Sequence, residues 1–151
     1  MAILLSGGQV AISDPNPGGP SATSNSKDVQ CKVVRLTSAN FGTSAVNTLV
    51  AVLPADSTIL NMQLLVKTQL AGGGITAATV NLGTASAGTQ FASAANAFGT
   101  AGANADIATL TGVMALYQVP LGGDIQVWAG GTATTGAPTS GELFITIYYV
   151  R

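Results

Sequence analysis

The chain has 151 residues, of which 47% are hydrophobic and 7% are charged, and its formal net charge is −1. This composition excludes a disordered chain, which would combine low hydrophobicity with high charge, and five scattered cations are too few for a surface that binds nucleic acid or anionic lipid. The apolar runs are shorter than the ~18 residues of a membrane-spanning helix, and an exterior with so few charges predicts that partners cover much of it.

Residues 1–28 differ in composition from the rest, and we call them the N-terminal arm. A short apolar piece is followed by the Pro- and Gly-rich stretch Asp14–Ser26, which is typical of a flexible linker. An apolar segment on such a tether predicts a docking arm, with pairing back onto its own domain as the alternative. The apolar side chains expected to make the arm contacts are Ile3, Leu4, Leu5, Val10 and Ile12. The start lacks the pattern of a secretory signal, so we expect synthesis in the cytoplasm.

Residues 29–151 are expected to form one domain in which strands alternate with turns. The pattern predicts strands at 29–36, 46–53, 58–70, 75–82, 124–129 and 142–151, and one or two more within 106–119. In the third of these, the face expected to be buried carries Leu60, Met62, Leu64, Val66, Thr68 and Leu70, with Ile59 and Leu65 as exceptions. Gly72–Gly74 predicts a hairpin loop, because glycine accepts positive φ without strain. Residues 83–103 predict a long loop that Phe91 and Phe98 attach to the core or to a neighbouring subunit.

The last strand is apolar on both faces. One face carries Leu143, Ile145, Ile147 and Tyr149, and the other carries Phe144, Tyr148 and Val150. The outward face of a sandwich is normally wet, so the second set predicts a subunit interface, with packing of the arm as the alternative. About seven to nine strands and no convincing helix predict an all-β fold: an antiparallel β-sandwich, with a jelly roll as the favoured architecture and an extended N-terminal arm.

Residues that carry chemistry are scarce. The sequence has no histidine, which removes Ser-His-Asp and Cys-His catalysis and imidazole metal ligands. Its one cysteine, Cys31, is expected to be a small buried strand residue. The acidic residues lie singly, mostly beside turns, where Asp binds local backbone groups. We therefore expect no enzyme activity, no metal or other cofactor and no small-molecule substrate. Trp128 is expected in the core, with stacking on sugar rings as the alternative.

Several stretches are notable for their order along the chain. Leu-Pro-Ala-Asp-Ser-Thr-Ile begins at Leu53, an alternating strand and Ala-Gly-Gly-Gly follow, and then come Thr79-Val80-Asn81-Leu82-Gly83-Thr84 and Phe91-Ala92-Ser93-Ala94-Ala95. A late Gly-Gly-Asp-Ile-Gln-Val strand and a C-terminal strand complete the order. Together they resemble the small structural proteins of tailed-bacteriophage heads. The resemblance implies a capsid decoration, or cement, protein: a jelly-roll homotrimer on the virion exterior that clamps neighbouring major capsid protein subunits, with a terminal arm lying on the capsid.

The predicted function is therefore that of a virion structural protein that stabilises a capsid without catalysis. The main alternative is a receptor- or glycan-binding fibre module that uses Trp128 and the long loops. A third class, a hydrolase with two acidic residues, would require carboxylates that are distant in sequence to meet in the fold.

Overall fold

A computed structural model describes residues 29–55, 57–107 and 123–150, together with the backbone of two short strands in the N-terminal arm. Strands make up nearly all the regular structure of these residues, and a single 3₁₀ turn, Ser38–Asn40, lies among them. The all-β prediction is confirmed. In the same ranges, no helix is long and apolar enough to span a membrane.

The strands are numbered in chain order. In the arm, β1 (Ile3–Leu5) pairs antiparallel with β2 (Gln9–Ala11). The others are β3 (Gln30–Thr37), β4 (Phe41–Gly42), β5 (Val46–Leu53), β6 (Thr58–Ala71), β7 (Ala77–Gly83), β8 (Ala92–Asn96), β9 (Asn104–Asp106), β10 (Ile125–Thr134) and β11 (Ser140–Val150).

Two sheets face each other across the core. Sheet I has the order β3-β11-β6-β9, and its pairings are all antiparallel. Sheet II has the order β4-β10-β7-β8, and β5 also pairs with β10. Its pairings are antiparallel except that β4 lies parallel to β10 over two residue pairs. The predicted antiparallel sandwich is therefore present, with this short parallel contact as an addition.

The core comes from alternate positions of the strands in both sheets. β11 contributes Leu143, Ile145, Ile147 and Tyr149, and β10 contributes Ile125, Val127, Ala129 and Ala133. Burial of such side chains, at about 25 cal/mol per Å² of apolar area, is the main source of stability in a fold of this kind. Phe91 is fully buried and Phe98 packs against the same core, which confirms that the two phenylalanines attach the 83–103 segment.

A bulge in β6 corrects part of its predicted alternation. Tyr148 of β11 pairs with Asn61, whereas the next residue, Tyr149, pairs with Ile59, so Leu60 is the extra residue. Ile59 is consequently buried and Leu60 is exposed, the reverse of what strict alternation predicts. Thr68, also predicted on the buried face, is exposed near a second register shift in the same pair of strands.

The glycine turn connects the two sheets, whereas the sequence predicts a hairpin loop there. Gly72, Gly73 and Gly74 have φ values of 89°, 62° and 72° and link β6 of sheet I to β7 of sheet II. A Cβ atom on Gly73 would lie 2.0 Å from the carbonyl oxygen of Ala137. The turn therefore needs glycine both for its backbone conformation and for its close packing against the β10–β11 connection.

Two further segments differ from prediction. The 83–103 segment is not a continuous loop, because it contains β8, which pairs with β7. β10 continues to Thr134, five residues beyond the predicted end at Ala129. Both segments consist of small residues, most of which have weak β-propensity, and pairing with established neighbours accounts for their extended form.

Candidate functional site

The predicted arm contacts fall largely outside the described residues. The structure describes the backbone of β1 and β2, whose register pairs Leu4 with Val10, and it describes no side chain there; Ile12 lies outside altogether. The backbone of residues 3–5 and 9–11 forms a small antiparallel pair, whereas a single extended arm was expected. The arm contacts of Ile3, Leu4, Leu5, Val10 and Ile12 stay a prediction.

The outward face of sheet I, called face I below, gathers apolar side chains from three strands. The register places the following residues in successive rows across β3, β11 and β6: Arg35, Phe144 and Leu65; Val33, Thr146 and Gln63; Cys31, Tyr148 and Asn61. Val33 is 58% exposed and Leu65 is 38% exposed. The face therefore leaves large apolar side chains of two strands exposed to water, which favours a surface that binds a partner.

The residues predicted to form a subunit interface all belong to this face. Phe144, Tyr148 and Val150 point away from the core and are half-buried, while their neighbours Leu143, Ile147 and Tyr149 point inward. The structure thus places the three side chains on one surface. Their contact with another subunit stays a prediction.

A charged cluster lies at one end of face I. Arg35 Nε donates a hydrogen bond to Glu142 Oε1, and Lys67 Nζ lies 3.2 Å from Glu142 Oε2. The hydrogen bond from Arg35, more than any other influence, lowers the pKa of the Glu142 carboxyl below its ordinary value. Lys67 Nζ is also 5.5 Å from the centre of the Phe144 ring, a distance at which a cation is attracted to an aromatic face.

A polar network holds the other aromatic residue of the face. The Tyr148 hydroxyl donates to Gln63 Oε1 at 3.2 Å, and Gln63 Nε2 donates to Asp106 Oδ1 at 2.9 Å. Asn61 Nδ2 donates to the same carboxylate oxygen at 3.0 Å. The bonds from Gln63 and then Asn61 lower the pKa of Asp106. The network orients the Tyr148 ring before any partner binds, which reduces the entropy that binding would cost.

The outward face of sheet II, called face II below, has a different character. Its positions on β10 and β7 carry Gln126, Trp128, Gly130, Thr132, Thr134, Ala77, Thr79 and Asn81. None of these residues is charged. On β10 and β7, face II is therefore a mainly polar, uncharged surface around one aromatic ring, and Val52 of β5, 42% exposed, lies beside Gln126.

Trp128 and Cys31 correct two sequence predictions. Trp128 is half-buried on face II, because the alternation that turns Val127 and Ala129 inward turns it outward, and its Nε1 donates to Gln126 Oε1 at 3.0 Å. Cys31 is exposed on face I, next to Tyr148 across the strands. Both residues were expected to be buried, and in both cases strand position outweighs residue type.

The acidic residues were expected mainly in turns. Asp124 Oδ1 accepts a hydrogen bond from the backbone N–H of Ala55 at 2.9 Å, which is such a role; Asp56 lies outside the described residues. Asp106 and Glu142 instead belong to strands. Over 29–55, 57–107 and 123–150, no three His, Cys, Asp or Glu side chains cluster in a way that could hold a metal ion.

Comparison with known proteins identifies the fold. No protein-family model and no curated protein matches the sequence. The structure is similar to a chain in the cyanophage Pam1 capsid asymmetric unit, with a TM-score of 0.58 and 21% identity over 94% of this chain and 94% of that chain. It is also similar to a chain in the capsid of Ralstonia phage GP4, with a TM-score of 0.52 and 18% identity over 82% of this chain and 84% of that chain. These similarities show a shared fold.

Proposed function

We propose that this protein is a virion structural protein that decorates the exterior of a bacteriophage capsid and stabilises it by clamping neighbouring major capsid protein subunits. The observation that carries the proposal is the end-to-end similarity to a phage capsid chain, over 94% of both chains. The apolar face I adds independent support, because a surface of this kind is expected to be covered in the working state.

The strand order supports a jelly-roll assignment. Over the described residues, and apart from the short β4, the sandwich consists of two sets of four strands, β3-β11-β6-β9 and β5-β10-β7-β8. The first and last strands of the sandwich pair with each other in sheet I, and the second and the penultimate pair in sheet II. This nesting of early strands with late ones is the pattern of two interlocked Greek keys, which defines the jelly roll.

We propose that face I is where copies of the chain meet in a homotrimer. Phe144, Tyr148 and Val150 lie on β11, an inner strand of sheet I, where a second copy would remove their exposed apolar area from water. The charges of Arg35, Lys67 and Glu142 would lie toward the rim, where water screens them.

The N-terminal arm is proposed to contact the capsid. An isolated two-stranded hairpin is only marginally stable in water, so β1 and β2 are expected to gain stability by packing against, or adding to, another sheet. The Pro- and Gly-rich segment that follows them would let the arm reach a neighbouring capsid subunit while residues 29–151 act as the separate sandwich domain.

A clamp of this kind works by selective binding. A protein that binds the expanded capsid lattice but not the unexpanded one stabilises the expanded state by mass action. A trimer that meets three equivalent sites gains from effective concentration, so each contact can be weak on its own. No catalytic step is needed, and synthesis in the host cytoplasm before assembly is sufficient.

The proposal is tested by deleting residues 1–28. We expect the truncated protein and the full-length protein both to be trimers by light scattering, because face I lies entirely within the sandwich. We expect the truncated protein to bind purified expanded capsids more weakly than full-length protein in a co-sedimentation assay.

The two measurements separate the parts of the proposal. Equal binding of both proteins to expanded capsids would contradict the role of the arm. Monomers in both cases would contradict the trimeric clamp. Failure of the full-length protein to bind expanded capsids would contradict the decoration role itself.

A further inference from the structure

We propose that face II carries a binding site for a neutral, hydroxyl-rich glycan, built around Trp128. This ring lies half-buried on a sheet face whose other outward side chains on β10 and β7 are small or polar and uncharged. A partly exposed indole is a flat apolar surface in contact with water. A pyranose ring has a matching face of C–H groups, so stacking one on the other removes apolar area from water on both sides.

The indole is held in place before any ligand arrives. Its Nε1 donates to Gln126 Oε1 at 3.0 Å. With its Oε1 turned toward the indole, Gln126 points its Nε2 group away from the ring. No hydrogen bond joins Nε2 to another residue in the described ranges. Gln126 is itself exposed. It therefore fixes the ring and also presents two N–H donors beside it.

Two further amide groups lie on the other side of the ring. Asn81 Oδ1 accepts from the backbone N–H of Ala94 at 2.6 Å, and Asn47 Oδ1 accepts from the backbone N–H of Ala87 at 3.1 Å. Of the two polar atoms of an asparagine amide, only the oxygen can accept from an N–H group, so each Nδ2 group points away from these bonds. Neither Nδ2 has an acceptor within the described part of the chain. Both are oriented donors for a hydroxyl oxygen.

The spacing of these groups suits one sugar ring. Gln126, Trp128 and Gly130 are alternate residues of β10 and so lie about 7 Å apart along face II. Gly130 pairs with Asn81, and a Cβ atom on Gly130 would lie 2.7 Å from Asn47 Oδ1. Glycine at this position thus admits the Asn47 amide. A pyranose stacked on Trp128 would extend its hydroxyl groups toward Gln126 at one end and toward the two asparagines at the other.

The absence of charge at these positions selects the class of glycan. A carboxylate or sulfate on the sugar would lose water against face II without gaining a cationic partner, which costs free energy. A hydroxyl group can both accept from the amide donors and donate to solvent or to a threonine oxygen. The arrangement therefore favours a neutral sugar. This inference does not depend on the capsid role, and either can fail without the other.

The chain has one tryptophan, so tryptophan fluorescence, excited selectively over tyrosine, reports on this site alone. The probes are the neutral hexasaccharides cellohexaose, maltohexaose and chitohexaose, with hexagalacturonate as the anionic counterpart, titrated into full-length protein. We expect at least one neutral probe to shift the emission saturably and hexagalacturonate to bind at least about tenfold more weakly. No saturable shift with any neutral probe up to about 10 mM, a concentration that detects even millimolar affinity, would overturn the proposal. Equal binding of hexagalacturonate would overturn it as well.

Substitutions separate stacking from a general effect on the fold. Trp128→Ala should weaken binding at least about tenfold by calorimetry, because the ring supplies most of the apolar contact, and Trp128→Phe should restore part of it. Gln126→Ala should weaken binding less and keeps the fluorescent reporter. Gln69→Ala removes an exposed glutamine of sheet I and should bind like the unchanged protein. Equal affinity of the Trp128→Ala protein would contradict a site at this ring.

Discussion

Face I and face II are built on strands with the same inward pattern and yet differ in outward chemistry. In β11 every inward residue from Leu143 to Tyr149 is buried, and in β10 the same holds from Ile125 to Ala133. The outward residues of β11 include two aromatic rings and a valine, whereas those of β10 are mostly small or amide-bearing. Packing against the core determines the inward residues of each strand. The core does not constrain the outward residues, and these therefore determine which partners each face can bind.

The two faces are consequently suited to different kinds of contact. Burial of a large apolar side chain contributes roughly 1.5–3 kcal/mol, so Phe144 and Tyr148 favour a broad, dry protein interface. Amide and hydroxyl groups gain little from burial unless each finds a hydrogen-bond partner. Face II therefore favours a ligand rich in hydroxyl groups, or open contact with water. A subunit interface on face I and a sugar site on face II are compatible, because the core separates the two surfaces.

The largest expected effect is on association through face I. Replacing Phe144 and Tyr148 together by Ala removes both rings from the proposed interface while the inward residues stay unchanged. We expect the trimer to dissociate at concentrations at which the original protein is fully associated, with a loss of at least about 100-fold in association, corresponding to the apolar area of two rings. Light scattering over a dilution series measures the change, and circular dichroism checks the fold.

The matched control lies on face II. Replacing Thr79 and Thr132, which pair across β7 and β10, by Ala also shortens two outward side chains. This variant should remain a trimer over the same dilution series. Dissociation of the threonine variant, with a stable trimer for the aromatic variant, would assign the subunit interface to face II and contradict the proposal.

The next effect distinguishes the two sides of a single strand. Gly131 points toward the core, where a Cβ atom would lie 2.1 Å from the carbonyl oxygen of Asn40 and 2.9 Å from the Phe41 ring. Gly130 points outward, where the near atom belongs to the exposed Asn47 side chain. We expect Gly131→Ala to lower the free energy of unfolding by about 2 kcal/mol or more, because backbone must move, and Gly130→Ala to cost less. Urea denaturation of both variants measures the difference, and equal losses would contradict this account of the packing.

The sequence predicts the parts of this fold that depend on apolar alternation. β5 has the predicted bounds, Val46 to Leu53, and the last strand begins within two residues of its predicted start. β8 was missed because Ala92–Asn96 has no apolar alternation and is extended only through its pairing with β7. The pairing of strands across sheets depends on contacts between residues distant in sequence, and so Gly72–Gly74 was assigned to a hairpin.

The candidate surfaces were predictable to different degrees. Phe144, Tyr148 and Val150 were found because the last strand is apolar at both odd and even positions. The outward position of Trp128 also has a sequence signal, since Ile125, Val127 and Ala129 alternate with Gln126 and Trp128, but the general preference of tryptophan for burial predicts a core position instead. The amide groups of Asn47 and Asn81 meet only through the fold, and no local pattern indicates them.

The smallest expected effect is a loss of stability in acid that arises from carboxylates of sheet I and not from face II. The pKa values of Glu142 and Asp106, both of sheet I, are lowered by hydrogen bonds from Arg35 and from Gln63. A carboxylate whose pKa is lower in the folded state than in the unfolded state contributes its full stability above the ordinary value of about 4, and loses it as the pH falls through the folded value. The urea midpoint should therefore fall between about pH 6 and about pH 3.

Substitution of the two carboxylates by neutral amides tests whether they cause this fall of the urea midpoint with pH. The paired variant Glu142→Gln with Asp106→Asn should show a smaller fall in the midpoint between the same pH values, because neither new side chain titrates. Gln126→Ala on face II should show the same fall of the urea midpoint as the original protein, because neither glutamine nor alanine has a side chain that titrates. If the paired variant lost as much stability in acid as the original protein, Glu142 and Asp106 would not be the acid-sensitive groups of sheet I. The hydrogen bonds that orient Tyr148 would then be stable without the negative charge of Asp106.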